Sequence, residues 1–180
     1  MAATKELIKR IRLTASAASI TFYNIPQDFD SLEIQISGRS TRTTNFQGFY
    51  ANFNGDVGTN YSYRRLIGEP TSAYSASASG ATSLLLGVAN SDYTTANVFS
   101  SHLVTIPNYT SSNAKSVSID SVSEQNATQV YLEVIAGLWS GSSAITSIQI
   151  DMTSSYTIKA GSSFALYGYK KGSDGTTTVS

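Results

Sequence analysis

Cysteine is missing from this chain of 180 residues, and histidine occurs only once, at His102. The absence of cysteine excludes disulfide bonds and thiolate metal sites, so packing and sheet hydrogen bonds have to stabilise the fold. With one histidine, no pair of imidazoles can hold a metal ion. A Ser-His-Asp triad would have to use His102, but the sequence contains no G-x-S-x-G elbow. Hydrolysis by that route is therefore not expected.

Charged side chains are also scarce. Only 13% of the residues are charged, and twelve basic residues balance twelve acidic ones, so the formal net charge is zero. Such a chain has no strongly basic surface to attract nucleic acid. No segment reaches the roughly 20 apolar residues of a membrane span, and the N-terminal residues lack the apolar core of a secretory signal. The sequence predicts a soluble protein made without a cleaved export signal, with no nucleic-acid or membrane partner.

The clearest positive signal is the alternation of apolar and polar residues between Thr128 and Met152. Apolar residues occupy every second position in both halves, at Val130, Leu132, Val134, Ala136 and Leu138 and then at Ile148, Ile150 and Met152. A two-residue period is typical of a strand that buries one face. Because residues 140–143 (SGSS) have the composition of a turn, the segment predicts a central hairpin of two buried strands. A pair this apolar requires a second sheet to cover its inner face.

Further strands are predicted by the same alternation. They are Ser19 to Asn24, Ser31 to Gly38, Phe46 to Phe53, Tyr61 to Ile67, Ser83 to Val88, Thr95 to Ile106, Ser116 to Ser121 and Ser163 to Lys170. Asn54-Gly55 supplies the positive φ angles of a hairpin turn between the third and fourth of these. Residues 69–83, rich in serine and alanine, are interpreted as a long surface loop. Lys5 to Leu13 fits a short amphipathic helix or a strand, and we favour a strand or arm.

These elements together predict an all-β fold. Nine or ten short strands with turn residues between them, and no convincing helix, are typical of an antiparallel β-sandwich, here jelly-roll-like with about 8–10 strands. The length fits a single domain covering residues 1–180. Within it we expect an N-terminal arm or strand at residues 1–14 and a polar C-terminal tail at residues 172–180.

Two pairs of carboxylates are candidates for glycosidase chemistry, which uses two acidic groups that flank the glycosidic bond. Asp28 and Asp30 lie in a turn, where aspartate favours local hydrogen bonds to the backbone. Glu133 and Asp151 have outward parity on the two central strands, so a solvated face is the simpler interpretation. The sequence therefore assigns no catalytic residue, no cofactor and no cofactor-binding residue, and we do not expect an enzyme.

Other polar residues also have a structural interpretation. Asn54, Asp56 and Asn60 could offer oxygens to calcium, but the twelve-residue calcium loop is absent and a hairpin tip explains them better. His102 shares its parity with Val104, which predicts a semi-buried strand residue hydrogen bonded to backbone. The sequence assigns no metal-ligating residue.

Arginines and aromatic residues are candidates for binding surfaces. Arg39 and Arg42, and then Arg64 and Arg65, form basic clusters, and arginine is favoured at protein interfaces. Eleven tyrosines and Trp139 could stack on sugars, although aromatic residues are also enriched in the cores and faces of sheets.

Five segments of the chain, read in order, resemble one family. They are AASITFYNIPQDFDSLEIQISGRS (17–40), FNGDVGTNYSYRRLIG (53–68), TANVFSSHLVTIPNY (95–109), VIAGLWSGSSAITSIQI (134–150) and SSFALYGYKK (162–171). Together they cover more than half of the chain and resemble small virion-associated proteins encoded by tailed bacteriophages. The family's ending is usually a variant of S-x-L-Y-G-I-K, and here Tyr169 stands where isoleucine is commoner.

The resemblance implies a β-sandwich that serves as a capsid decoration, cement or fibre component and has no catalytic motif. It implies a virion protein, assembled in the bacterial cytoplasm, that binds the major capsid protein or other virion proteins. We expect a homo-oligomer, with a trimer favoured, and contacts through the N-terminal arm and residues 69–83. The alternatives are a tail-fibre or receptor- and glycan-binding module that uses Trp139, and a carbohydrate-active enzyme that uses Glu133 and Asp151.

Overall fold

The computed structural model describes residues 4–44, 46–124, 130–152 and 156–170. These residues form strands, turns and bends, with no helix among them. They accordingly include no helix of the length and apolarity that a membrane crossing demands. The prediction of an all-β fold is confirmed.

Twelve strands are formed by the described residues, slightly more than the eight to ten expected. They are β1 (Thr4–Arg12), β2 (Ser19–Phe22), β3 (Ser31–Ser40), β4 (Gln47–Phe53), β5 (Tyr61–Glu69), β6 (Ser72–Ala81), β7 (Leu84–Ser91), β8 (Ser100–Pro107), β9 (Lys115–Ser123), β10 (Tyr131–Trp139), β11 (Ile148–Met152) and β12 (Ser163–Lys170). The N-terminal segment is a strand, which settles the choice between strand and helix there. The predicted tail at residues 172–180 lies outside the described residues.

All twelve strands belong to one hydrogen-bonded sheet. Its path runs β2-β11-β4-β7-β3-β8-β9-β10-β5-β6, and β12 joins β3 to β1 beside this path. Every pairing is antiparallel except a short parallel one between β3 and β7, so the sheet is mixed. This strand order does not establish the predicted jelly-roll connectivity.

The sheet bends so that β7 and its neighbours cover the inner face of the rest. β7 contacts β9 and β10, although it forms no ladder with either of them. Small residues make this approach close: a Cβ added to Gly38 would lie 2.4 Å from the Phe49 ring, and one added to Gly137 would lie 2.7 Å from Leu84 Cδ1. The core lies between these faces, where Phe49 meets Phe164 edge to face.

Alternation predicted the buried face of most strands correctly. Leu32, Ile34 and Ile36 of β3 are buried, as are Val117 and Ile119 of β9, Phe164 and Leu166 of β12, and Ile148, Ile150 and Met152 of β11. In each strand the intervening residues are exposed or only partly buried. A period of two in the sequence therefore became one apolar face in the fold.

Neither of the two predicted hairpins exists. β10 pairs with β5 and β9, whereas β11 pairs with β2 and β4. Likewise β4 pairs with β7 and β11, so the chain passes from one part of the sheet to another after Phe53. Asn54 and Gly55 do have positive φ, but Asn54 Oδ1 accepts hydrogen bonds from the backbone N–H groups of Thr146 and Ser147. The turn therefore joins the connection between β4 and β5 to the connection between β10 and β11, and it does not close a hairpin.

The prediction of a surface loop at residues 69–83 was wrong. Ser72–Ala81 forms strand β6, which pairs with β5 around a tight turn at Pro70 and Thr71. Neither face of this strand is deeply buried, and most of its residues are serine or alanine. The alternation that signals a half-buried strand is therefore missing from this segment.

Candidate interaction face

Strand β10 is turned over relative to the prediction. Leu132, Val134 and Leu138, which we expected in the core, are 56%, 52% and 39% exposed. The opposite row is buried, with Glu133 at 0% and Trp139 at 3% exposure. In a strand with one buried face, only every second side chain is buried. Burying the other set of alternate residues therefore moves every side chain of β10 to the opposite face.

The tryptophan explains part of this choice. Trp139 packs against Phe53 with ring centroids 5.5 Å apart, and its indole N–H donates a 2.7 Å hydrogen bond to the carboxylate of Asp56. Ile135 is buried in the same row, and Gly137 leaves space for Leu84. Burying the largest aromatic group in the chain with its polar atom satisfied is favourable.

Glu133 is buried because its carboxylate has two strong partners. One oxygen accepts a hydrogen bond from Arg65 Nη1 at 2.7 Å, and the other accepts the backbone N–H of Val88 at 2.7 Å. Val88 belongs to β7, so the carboxylate joins β7 to β5 and β10. The prediction that Glu133 faces solvent was wrong, since a buried charge is tolerated where it is paired and hydrogen bonded.

The exposed row of β10 continues across neighbouring strands. Val134 lies opposite Leu66 of β5, and Leu132 lies opposite Val122 of β9. Residues directly opposite in a ladder point to the same side. We call the resulting surface the apolar outer face, formed by Leu66, Leu103, Val122, Leu132, Val134 and Leu138, which are between 37% and 65% exposed.

The surroundings of the apolar outer face are small or polar. Asp120 lies between Leu103 and Val134 in one row of the sheet, and Arg64 lies opposite Ala136 in another. Both charged residues are exposed and have opposite signs. The face is thus an exposed apolar area on regular strands with Asp120 and Arg64 beside it, and an exposed apolar area rimmed by polar residues marks an interaction surface.

His102 lies in the core of the molecule, more deeply than predicted. It is 2% exposed, and its Nδ1 lies 2.9 Å from the carbonyl oxygen of Leu86. Its Nε2 lies 2.8 Å from the hydroxyl of Ser100, and Phe49 packs edge to face on the ring. Burial lowers the pKa of His102 to about 4. The predicted hydrogen bond to backbone is present, and the ring takes a structural position.

The two carboxylate pairs occupy different environments. Asp28 is exposed and lies 3.1 Å from Lys170 Nζ. Asp151 is partly buried on β11, and burial raises its pKa. Glu133, proposed as its partner, is fully buried and is hydrogen bonded to Arg65 and to the backbone N–H of Val88. The geometry therefore gives Glu133 a structural role.

The residues considered for calcium form a hydrogen-bonded turn. The Asp56 carboxylate accepts hydrogen bonds from the Trp139 indole, the Asn60 side chain and the Gly58 backbone. These hydrogen bonds lower the pKa of Asp56, and the one from the indole N–H contributes most. Asn54 uses its side chain to hold residues 144–147. Nearby donors therefore occupy the oxygens that a cation would need.

Three of the four arginines proposed for an interface are used internally. Arg39 is 3% exposed and donates to the carbonyls of residues 94, 95 and 98. Arg42 Nη1 donates to the carbonyl oxygen of Phe46, and Arg65 binds Glu133. Arg64 alone is exposed, at the margin of the apolar outer face. Trp139 is also too deeply buried to stack on a sugar.

No sequence signal would have located the apolar outer face with certainty. Ile135 and Trp139 form a second apolar row on β10, and the competing row contains more apolar residues. The Arg65 and Val88 contacts of Glu133, together with the contacts of Trp139, make this row the better one to bury.

No cluster of three or more metal-binding side chains occurs among the residues that the structure describes. Comparisons with protein-family models, curated proteins and solved structures found no match to this chain.

Proposed function

We propose that this chain is a non-enzymatic structural protein of a tailed-bacteriophage virion, which decorates or cements the capsid by binding the major capsid protein. The observation that carries the proposal is the apolar outer face, where six leucine and valine side chains stand on rigid strands outside the core. An apolar area of this kind marks a surface that a partner covers. The family resemblance supplies the identity of that partner.

The composition of the face favours shallow contact repeated many times. A half-exposed leucine or valine gains about 1 kcal/mol when it becomes fully buried, so the face offers roughly 6 kcal/mol. Association itself costs about 4–15 kcal/mol. One contact is therefore weak, and strong attachment needs several linked copies that bind a repeating lattice. The predicted homo-oligomer, with a trimer favoured, supplies such linkage and belongs to this proposal.

A charge placed on the face tests this function. Val134→Asp is expected to reduce the number of copies per purified particle at least about tenfold, because a buried unpaired carboxylate costs several kcal/mol. The matched control is Ser37→Asp, which changes an exposed position of β3 that lies three strands from Val134 and is not one of the six apolar residues. Quantitative mass spectrometry of particles gives copy numbers, and thermal melting of both purified variants verifies folding.

Two outcomes would contradict the capsid proposal. If Val134→Asp folds and enters particles as well as the control, the apolar outer face is not the attachment surface. If the native protein is absent from purified particles, the virion assignment itself fails.

The alternative is a tail-fibre or receptor-binding module of the virion. A handful of copies per particle, in place of a number comparable to that of the major capsid protein, would favour it. Since Trp139 is buried, glycan binding in this alternative would depend on exposed rings such as Tyr23 and Tyr93.

A further inference from the structure

The outer edge of β6 is a second surface available for assembly. Strand β6 ends the sheet, and among the described residues it pairs only with β5. An edge strand presents unpaired backbone N–H and C=O groups at alternate residues. Residues 72–78 form the regular part of this edge, about 23 Å long at about 3.3 Å per residue, and a bulge follows at Gly80, which has positive φ.

Two edge strands of the sheet, β1 and β6, differ in charge. Strand β1, which pairs only with β12 among the described residues, has the sequence TKELIKRIR and carries five charged residues over nine positions. Charged side chains on an edge discourage further pairing. Strand β6 has the sequence SAYSASASGA and carries no charged residue. Of these two edges, β6 is the one that lacks this protection.

The sequence of β6 also matches itself in reverse. Residues 75–79 read SASAS in both directions, with Ser77 at the centre. When two such strands run antiparallel about a two-fold axis through Ser77, serine faces serine and alanine faces alanine. Tyr74 then reaches the bulge at Gly80 of the other copy, where the regular strand ends and no side chain obstructs the ring.

We propose that β6 pairs with β6 of a second copy of this chain, antiparallel and centred on Ser77. The edge supplies matching donors and acceptors in both copies, and its small uncharged side chains produce neither a clash nor repulsion between like charges. An isologous contact of this kind has two-fold symmetry. The symmetric sequence of residues 75–79 favours a second copy of this chain as the partner of the β6 edge.

The two-fold contact does not depend on the proposed capsid function. It is also compatible with a trimer formed through another surface, because three-fold and two-fold contacts combine in a six-chain assembly or a continuous lattice. The contact would then link neighbouring trimers.

Cysteine crosslinking tests the pairing directly because the native chain contains no cysteine. Opposing residues in antiparallel strands have Cα atoms about 4.5–5.5 Å apart, which is within disulfide range. Ser77→Cys is therefore expected to form a covalent dimer under mild oxidation. The rate should exceed that of Ser37→Cys by about a hundredfold at ~10 μM protein, since paired thiols have a millimolar effective concentration.

The register has its own test. A mixture of Ser75→Cys and Ser79→Cys should crosslink between the two variants faster than Ser75→Cys crosslinks with itself. The opposite order would refute the axis at Ser77.

A charged variant gives an independent measurement in solution. Ser77→Lys brings two ammonium groups together and should shift sedimentation of the protein toward the species that lacks the two-fold contact, whereas Ser37→Lys should sediment as the native chain does. Equal crosslinking rates of the 77 and 37 cysteine variants, or identical sedimentation of the two lysine variants, would overturn the proposal.

Discussion

Acidification should destabilise this protein through its single histidine. Unfolding exposes His102 to water, where its pKa is close to 6.5, whereas burial holds the pKa at about 4 in the folded state. Between these values the unfolded chain binds a proton that the folded chain does not. The free energy of unfolding therefore falls as the pH decreases from 6.5 toward 4.

The size of the effect follows from the two pKa values. Each pH unit between them contributes about 1.4 kcal/mol, so the full interval removes about 3 kcal/mol. Asp56 and Asp92 act mainly at lower pH, because their lowered pKa values preserve their stabilisation until the pH passes below about 4. Asp151 acts in the opposite direction, since its raised pKa means that protonation favours the folded state.

Urea unfolding at several pH values, for the native protein and His102→Asn, isolates the histidine. The variant is expected to be less stable at pH 7, and its deficit should shrink by about 3 kcal/mol as the pH approaches 4, because it loses the proton linkage. Subtracting the two curves cancels the contributions of the carboxylates. Parallel curves over this interval would refute the reasoning.

Proton NMR of the one histidine ring provides a direct comparison. The Leu86 carbonyl can only accept a hydrogen bond, so Nδ1 carries the proton, and Nε2 lies 2.8 Å from the Ser100 hydroxyl. The Ser100 hydroxyl donates a hydrogen bond to the carbonyl oxygen of Gly38 at 2.8 Å, and its single proton can serve either Gly38 or a neutral Nε2. A folded-state pKa above 6.5 would mean that an imidazolium donates to Ser100 instead, and that hydrogen bonding outweighs burial.

Two substitutions inside the sheet should also lower stability, both measurable by urea unfolding. Glu133→Gln is expected to cost about 2–3 kcal/mol, because the amide cannot replace the charged oxygens that bind Arg65 and the Val88 N–H; no change would contradict a structural role for this ion pair. Gly137→Ala is expected to cost about 1–3 kcal/mol, because its Cβ would lie 2.7 Å from Leu84 Cδ1. A neutral result there would mean that Leu84 moves aside easily.

The virion role remains a prediction that the particle experiments address, and the family resemblance and the trimer also remain predictions. The candidate site was only partly predictable. Leu132, Val134 and Leu138 were recognised as one apolar row, but they were assigned to the core. Their exposure is what makes them candidates for contact, and their sequence pattern is the same in either position.

The sequence by itself determined most of the strands, because alternation, turn residues and the lack of helical periodicity are local properties; β6, which lacks the alternation, was the exception. It also determined the buried faces of strands such as β3, where one row is apolar and the other polar. Tertiary structure alone decided which strands pair and which face of β10 is buried. On that strand both rows contain apolar residues, so the choice depends on Arg65, Asp56 and Val88, which approach Glu133 and Trp139 only after the chain has folded.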